Sequence, residues 1–246
     1  MKFVSFALVA LCTVLVLTSP TASAAFITYT GTTAACFGAG CTPTTAVTQD
    51  GTDGLFFTPD VVPGFKCTTD ATGFCGIGDA APANGSPAGT LPTGDNFGYF
   101  TLLDTTGAYT GDSFTLRVMF TSPNVTSGNP ATFSATLNGS VTAGSTIGGV
   151  RVNFTNPTAT FTAVCSSGPC TVPGPASPLG TPYSFTLTLP NSVNITPPAN
   201  NGTSSSNVAI TGSIQDQAQT PEPGTSMLLG STLVLGALMM RRFRRA

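Results

Sequence analysis

Residues 113–121 read Ser-Phe-Thr-Leu-Arg-Val-Met-Phe-Thr. In an extended chain, successive side chains point to opposite faces. Phe114, Leu116, Val118 and Phe120 therefore share one face, and Thr115, Arg117 and Thr121 the other. The same alternation sets Phe133, Ala135 and Leu137 against Ser134, Thr136 and Asn138, and Val150, Val152 and Phe154 against Arg151, Asn153 and Thr155. It returns in Phe185, Leu187 and Leu189 against Thr186 and Thr188, and in Val208, Ile210 and Ile214. One apolar and one Thr-rich face is the signature of antiparallel sheets packed on one side. Turn pairs punctuate the runs at Pro123-Asn124, Asn138-Gly139, Gly148-Gly149, Asn156-Pro157 and Pro190-Asn191. An all-β chain, an antiparallel β-sandwich with meander or Greek-key connections, is the expected fold.

Working outward, Phe26 to Thr30, Leu55 to Thr58 and Asn96 to Leu103 read as further strands. Between Gly31 and Asp95 the alternation weakens and turn residues crowd in, which predicts long loops laid over the sandwich. Ala199 to Ser206 reads as a polar loop and Gln215 to Thr220 as a flexible stalk. Ser-Phe-Thr-Leu recurs at 113–116 and 184–187, and Ala-Thr-Phe at 131–133 and 159–161, without a common period. These are a shared strand idiom rather than a solenoid repeat.

Composition narrows the chemistry. The 246 residues include no His and no Trp, and 7% are charged. Without imidazole, Ser-His-Asp and Cys-His nucleophile systems and His-ligated zinc are excluded. Residues 25–220 carry Lys66, Arg117 and Arg151 against nine Asp, a net charge of −6 with no basic stripe, so nucleic acid is not an expected partner.

The two ends differ from this middle. Lys2, the apolar run Phe3 to Leu17 and the small-residue triplet Ala22-Ser23-Ala24 form a secretory signal peptide, a signal helix cleaved after Ala24, for the Sec translocon and signal peptidase. The run is too short for a full membrane span. Cys12 lies inside it behind Leu11, unlike a lipoprotein site. At the other end, Pro221-Glu222-Pro223 holds the only Glu of the chain, and the apolar stretch Met227 to Met240 leads into Arg241, Arg242, Arg244 and Arg245. The arginines resist translocation and hold the terminus in the cytoplasm. Fourteen residues of helix reach about 21 Å, against about 30 Å of hydrocarbon, a marginal transmembrane helix.

Pro-Glu-Pro, one hydrophobic segment and an Arg-rich terminus, in that order, resemble the PEP-CTERM sorting signal of exported proteins in Gram-negative bacteria that make exopolysaccharide. The resemblance covers residues 221–246. It implies recognition by an exosortase in the inner membrane, cleavage near the motif, and transfer of the body to the cell surface or matrix. The expected organisation is a signal peptide at 1–24, a β-sandwich at 25–214, a linker at 215–220 and the sorting tail at 221–246. The expected role is a structural, non-enzymatic surface or exopolysaccharide-matrix protein. The alternative is a polysaccharide-binding or adhesin module held permanently by a single-pass anchor.

Candidate sites in the body are sparse. Without Cys12 the exported chain has six cysteines, and spacing favours the local disulfides Cys36 with Cys41, Cys67 with Cys75 and Cys165 with Cys170, riveting loops. Asp50 and Asp53, in Asp-Gly-Thr-Asp-Gly, are a weak calcium candidate with too few ligands, so a solvated turn is the favoured reading. No cofactor is expected. Asp104 and Asp112 flank a turn near Tyr109 and are the one carboxylate pair suited in principle to glycoside hydrolysis. Their Gly- and Thr-rich setting lacks the desolvating pocket such an acid needs. Tyr99, Tyr109 and Tyr183 are weak candidates for ligand contact, while the many Phe belong to the core. Six Asn-x-Ser/Thr sequons, at Asn84, Asn124, Asn138, Asn153, Asn194 and Asn201, are what chance supplies in a chain this rich in Asn and Thr.

Overall fold

The computed structural model describes residues 26–44, 49–51, 53–61, 63–90, 94–164, 180, 182–198 and 205–217. The expected signal peptide, the expected Cys165–Cys170 disulfide and the expected sorting tail lie outside them. The described residues hold sixteen strands, no helix, and only antiparallel pairings.

The largest sheet contains β1 (Thr28–Phe37), β4 (Phe65–Thr68), β8 (Ser113–Ser122), β10 (Ala131–Val141), β11 (Gly148–Phe154) and β14 (Ser192–Ile195). They run in the order β14-β11-β10-β8-β1-β4, and the short β7 (Gly107–Ala108) also pairs with β10. A second sheet has the order β5-β16-β13-β12-β9, built from β5 (Phe74–Ile77), β9 (Asn124–Ser127), β12 (Thr158–Val164), β13 (Pro182–Thr188) and β16 (Gly212–Asp216). The third has the order β15-β6-β3-β2, from β2 (Gln49–Asp50), β3 (Leu55–Thr58), β6 (Tyr99–Leu103) and β15 (Ser205–Ala209).

The alternation becomes burial as expected. In β10 every other side chain from Ala131 to Leu137 is buried and its neighbours are exposed, and β8 buries Phe114, Leu116, Val118 and Phe120. One cluster of buried residues draws on all three sheets. Phe120 of the large sheet meets Phe161 and Phe185 of the second at ring separations of 4.8 and 5.1 Å. Phe114 meets Phe57 and Phe100 of the third at 5.1 and 4.9 Å. Rings at such distances, edge-on or tilted, add to the free energy gained by burial. The large sheet thus turns one apolar face to both smaller sheets.

Three expectations are corrected. Gly31–Asp95 is not a run of loops over the fold: β1 continues to Phe37, and β2, β3, β4 and β5 lie within this stretch. The residues from Gly31 to Ala35 are small and show no hydrophobic contrast, yet the strand is pinned between β4 and β8, with a register shift at Thr30/Gly31. Gly31 is required there, because a Cβ would stand 2.3 Å from the Phe65 ring and 2.4 Å from the Met119 carbonyl oxygen. The 199–206 loop ends early, since Ser205 and Ser206 begin β15 and are buried. The linker does not begin at 215, because Gln215 and Asp216 complete β16, and Asp216 is buried.

The disulfides also differ in role from the expectation. Cys36–Cys41 closes a short loop at the end of β1. Cys67–Cys75 joins β4, an edge of the large sheet, to β5, an edge of the second. It ties sheet to sheet because the chain crosses between them in the five-residue turn from Thr69 to Gly73.

Candidate functional site

Several polar side chains are buried among the described residues, including Asp60, Asn96 and Asp216. Tyr29, on the first strand, donates its hydroxyl to Oδ1 of Asp216 on the last, across 187 residues of sequence. Both are buried, and Tyr183 lies beside them. Tyr183 makes no hydrogen bond of ordinary geometry, but it interacts electrostatically with both partners. Burial pushes the Asp216 carboxyl up to about 6, and the Tyr29 hydrogen bond acts against that rise. Burial first, then the Asp216 charge, raises the Tyr29 phenol far above its ordinary range. Asp60 is a second buried acid, pushed up to about 6 by burial and by neighbouring Asp95, against backbone N–H groups of Asn96 and Gly64 that favour its ionised form. Its backbone N–H donates to Thr33 Oγ1 at 2.9 Å, anchoring the segment after β3 to β1.

The three tyrosines read from sequence as weak candidates for ligand contact are buried in the core. Tyr99 and Tyr109 are fully buried and Tyr183 nearly so. Tyr99 donates to the Thr90 carbonyl at 2.5 Å and Tyr109 to the Asp53 carbonyl at 2.6 Å. Burial pushes the Tyr109 phenol up to about 12, helped by Asp53 and Asp112. Their rings carry enough apolar area to belong inside once the hydroxyl is satisfied.

Asp50 lies in β2, paired with Phe56. Asp53 is exposed at a turn with φ of 54°, and its Oδ2 accepts the Ala108 N–H at 3.3 Å. Among the described residues no group of three or more His, Cys, Asp or Glu is placed to hold a metal ion. Asp104 follows β6, and its Oδ1 accepts the Gly144 N–H at 2.7 Å at the tip of the β10–β11 hairpin. Asp112 precedes β8, and its backbone carbonyl accepts the Leu137 N–H at 2.8 Å.

Two surface concavities stand out among the described residues. One, of about 530 Å³, is lined by Lys66, the Cys67–Cys75 bridge, Phe74, Asp79 and Asp95. Phe74 is 42% exposed, an unusual aromatic surface. Both carboxylates there hold backbone: Asp95 Oδ1 accepts the Lys66 N–H at 2.8 Å, and Asp79 Oδ2 the Asp95 N–H at 2.7 Å. The other, of about 430 Å³, lies over β10, β11 and β14, with Asn138, Arg151 and Asn194 among its walls.

Charge is segregated in a way the composition concealed. Lys66, Arg117 and Arg151 all stand on the large sheet, in β4, β8 and β11, and none of its strands contains Asp or Glu. Pairing places all three on the outer face: Lys66 opposite Thr30, Arg117 opposite Thr132, and Arg151 opposite Asn138. Cations scattered in sequence thus share one sheet face once the strands are in register, on three strands that are not neighbours. Three cations remain far too few for a phosphate backbone. No family model matches this sequence, and no curated protein or solved structure matches it.

Proposed function

We propose that the chain is an exported structural protein of the cell surface or exopolysaccharide matrix, sorted and cleaved by an exosortase at its PEP-CTERM tail. The observation carrying this reading is the fixed order Pro221-Glu222-Pro223, Met227 to Met240, then Arg241, Arg242, Arg244 and Arg245, coupled to a signal peptide ending at Ala24. Pro221 and Pro223 lack backbone donors and keep the recognition segment extended. The arginines fix its orientation in the inner membrane. The Cys36–Cys41 and Cys67–Cys75 bridges agree with an oxidising compartment outside the cytoplasm. The body is a non-enzymatic β-sandwich, with the large sheet as one layer and the two smaller sheets side by side as the other. Intact-mass measurement of the protein from cells with and without exosortase tests the sorting step. The terminal arginines are expected to be missing only where the enzyme is present, and their retention in both strains refutes it.

A second reading, a polysaccharide-binding module on a permanent anchor, draws on the concavities of the body. The concavity over β10, β11 and β14 has the amides of Asn138 and Asn194, the hydroxyls of Ser140 and Thr196 and the Arg151 guanidinium among its walls, groups that can hydrogen-bond a polyhydroxylated ligand.

A further inference from the structure

We infer that the outer face of the large sheet is a docking strip for a linear, carboxylated polysaccharide, and that Arg151 is its principal anchor. This deepens the binding reading above and rests on it. It does not depend on tail cleavage.

The centre of the strip is one rung across three adjacent strands. Asn138 of β10 stands opposite Arg151 of β11, which stands opposite Asn194 of β14. All three are exposed. Adjacent strands lie about 4.8 Å apart, so two carboxamides flank a guanidinium within a span of about 10 Å. Arg151 Nη2 donates to Ser192 Oγ at 3.2 Å, which steadies the side chain and leaves most of its five donors available. The acids near this rung lie on neighbouring loops rather than in its strands: Asp104 bonds Gly144 at the tip of the β10–β11 hairpin, and the Asp112 backbone carbonyl accepts the Leu137 N–H one residue from Asn138. Beside the rung the surface sinks into the 430 Å³ depression, because Gly139 and Gly149 leave bare backbone there. Neither tolerates a side chain: a Cβ on Gly139 would stand 2.1 Å from the Gly149 carbonyl oxygen, and one on Gly149 2.6 Å from that of Ile195.

The rest of the strip extends this site along β10. Thr132, Ser134, Thr136 and Asn138 are all exposed on its outer face, spaced about 6.8 Å apart. At the far end, Thr132 pairs with Arg117, so the two guanidinium groups are separated by six positions of strand, about 20 Å. Arg117 is half-buried, with Nη1 3.5 Å from the Pro43 carbonyl. A row of hydroxyl and amide groups between two planar cations offers hydrogen bonds to sugar hydroxyls and bidentate pairing to carboxylates. Met119 is the large exposed apolar side chain on these strands, too little for a protein partner. Lys66, on the same face, is bordered by Asp79 and Asp95 and so contributes less attraction. The body is otherwise acidic, so a polyanion is repelled from its other surfaces and guided to this one.

The test uses full-length chain, exported and purified in mild detergent, titrated calorimetrically with polygalacturonate, the same polymer fully methyl-esterified, and dextran. Polygalacturonate is expected to bind, more weakly at higher salt, and both neutral polymers at least tenfold more weakly. Arg151→Gln is expected to weaken binding tenfold or more, Arg151→Lys three- to fivefold because charge remains without the fork, and Lys66→Gln less than threefold. Arg151 is exposed, so an unchanged thermal midpoint confirms that each variant is folded. Polygalacturonate binding that survives Arg151→Gln, or that falls equally with Lys66→Gln, overturns the site while leaving the binding reading standing. Equal binding of dextran overturns the acidic specificity. No binding to any of the three polymers overturns the binding reading itself.

Discussion

Replacing Asp216 by Asn should make the body more stable at neutral pH and flatten its pH dependence. The native carboxyl is pushed up from 3.8 to about 6, first by burial, with Tyr29 pulling the other way. The folded state therefore holds a proton that the unfolded chain has released between about pH 4 and 6. Stability is greatest below this window, falls as pH rises through it, and levels off above pH 6. At about 1.36 kcal/mol per pH unit, the window from 3.8 to about 6 sets an upper figure of about 3 kcal/mol. Between pH 8 and pH 5 the same shift stabilises the wild type by about 1 kcal/mol. Asp60, also pushed up to about 6, acts with the same sign. Asp70 is held low by Thr72 and the Phe74 N–H, so its opposing effect falls at more acidic pH. The substituted carboxamide keeps the shape, can still meet the Tyr29 hydroxyl, and never ionises. Urea unfolding at pH 5 and pH 8, followed by near-ultraviolet circular dichroism since the chain has no Trp, gives the comparison. Asp216→Asn should reduce the pH 5 to pH 8 difference by about 1 kcal/mol, or about 2–4 °C in midpoint for a body of this size. A wild type more stable at pH 8 than at pH 5, or a variant with an undiminished difference, refutes the reasoning.

Two further outcomes follow from the packing. Phe120 touches Tyr29, Phe65, Phe161 and Phe185, so Phe120→Ala should lower unfolding free energy by about 3–5 kcal/mol, measured in urea against wild type; a loss under about 1 kcal/mol shows that the large sheet does not pack there. Changing Cys67 and Cys75 together to Ala should remove about 2.5 kcal/mol for a separation of eight residues, against about 2 for the five-residue Cys36–Cys41 loop. A larger loss from the first pair, with detachment of β5 seen by hydrogen exchange, is the result expected of a bridge between sheets.

Strands with sharp hydrophobic contrast were legible from sequence, and β8 and β10 follow their alternation nearly residue for residue. Elsewhere the signal disappears for physical reasons. Seven of the ten residues of β1 are Gly, Thr or Ala, whose burial is imposed by neighbours rather than by their own hydrophobicity. The strands β4 and β5 have four residues each, too few for a period to emerge from Phe-Lys-Cys-Thr or Phe-Cys-Gly-Ile. Asp216 reads as solvated because a carboxylate is rarely buried, and only the distant Tyr29 makes that burial tolerable. Tyr99 and Tyr109 misled for a similar reason, since the carbonyls that accept their hydroxyls belong to residues elsewhere in the chain. The Asn138, Arg151 and Asn194 rung depends on the register of three strands, information that no local window contains.

The contact between Tyr29 and Asp216 brings the entry and exit of the folded body to one pole. β16 is also an interior strand, bonded to β13 on one side and β5 on the other. Tension applied through residue 217 therefore meets two ladders and the Tyr29 clasp together, and must shear them at once rather than unzip a free edge. A domain wired in this way resists load applied at its C-terminal end with two strand ladders and a buried side-chain contact rather than with one edge ladder.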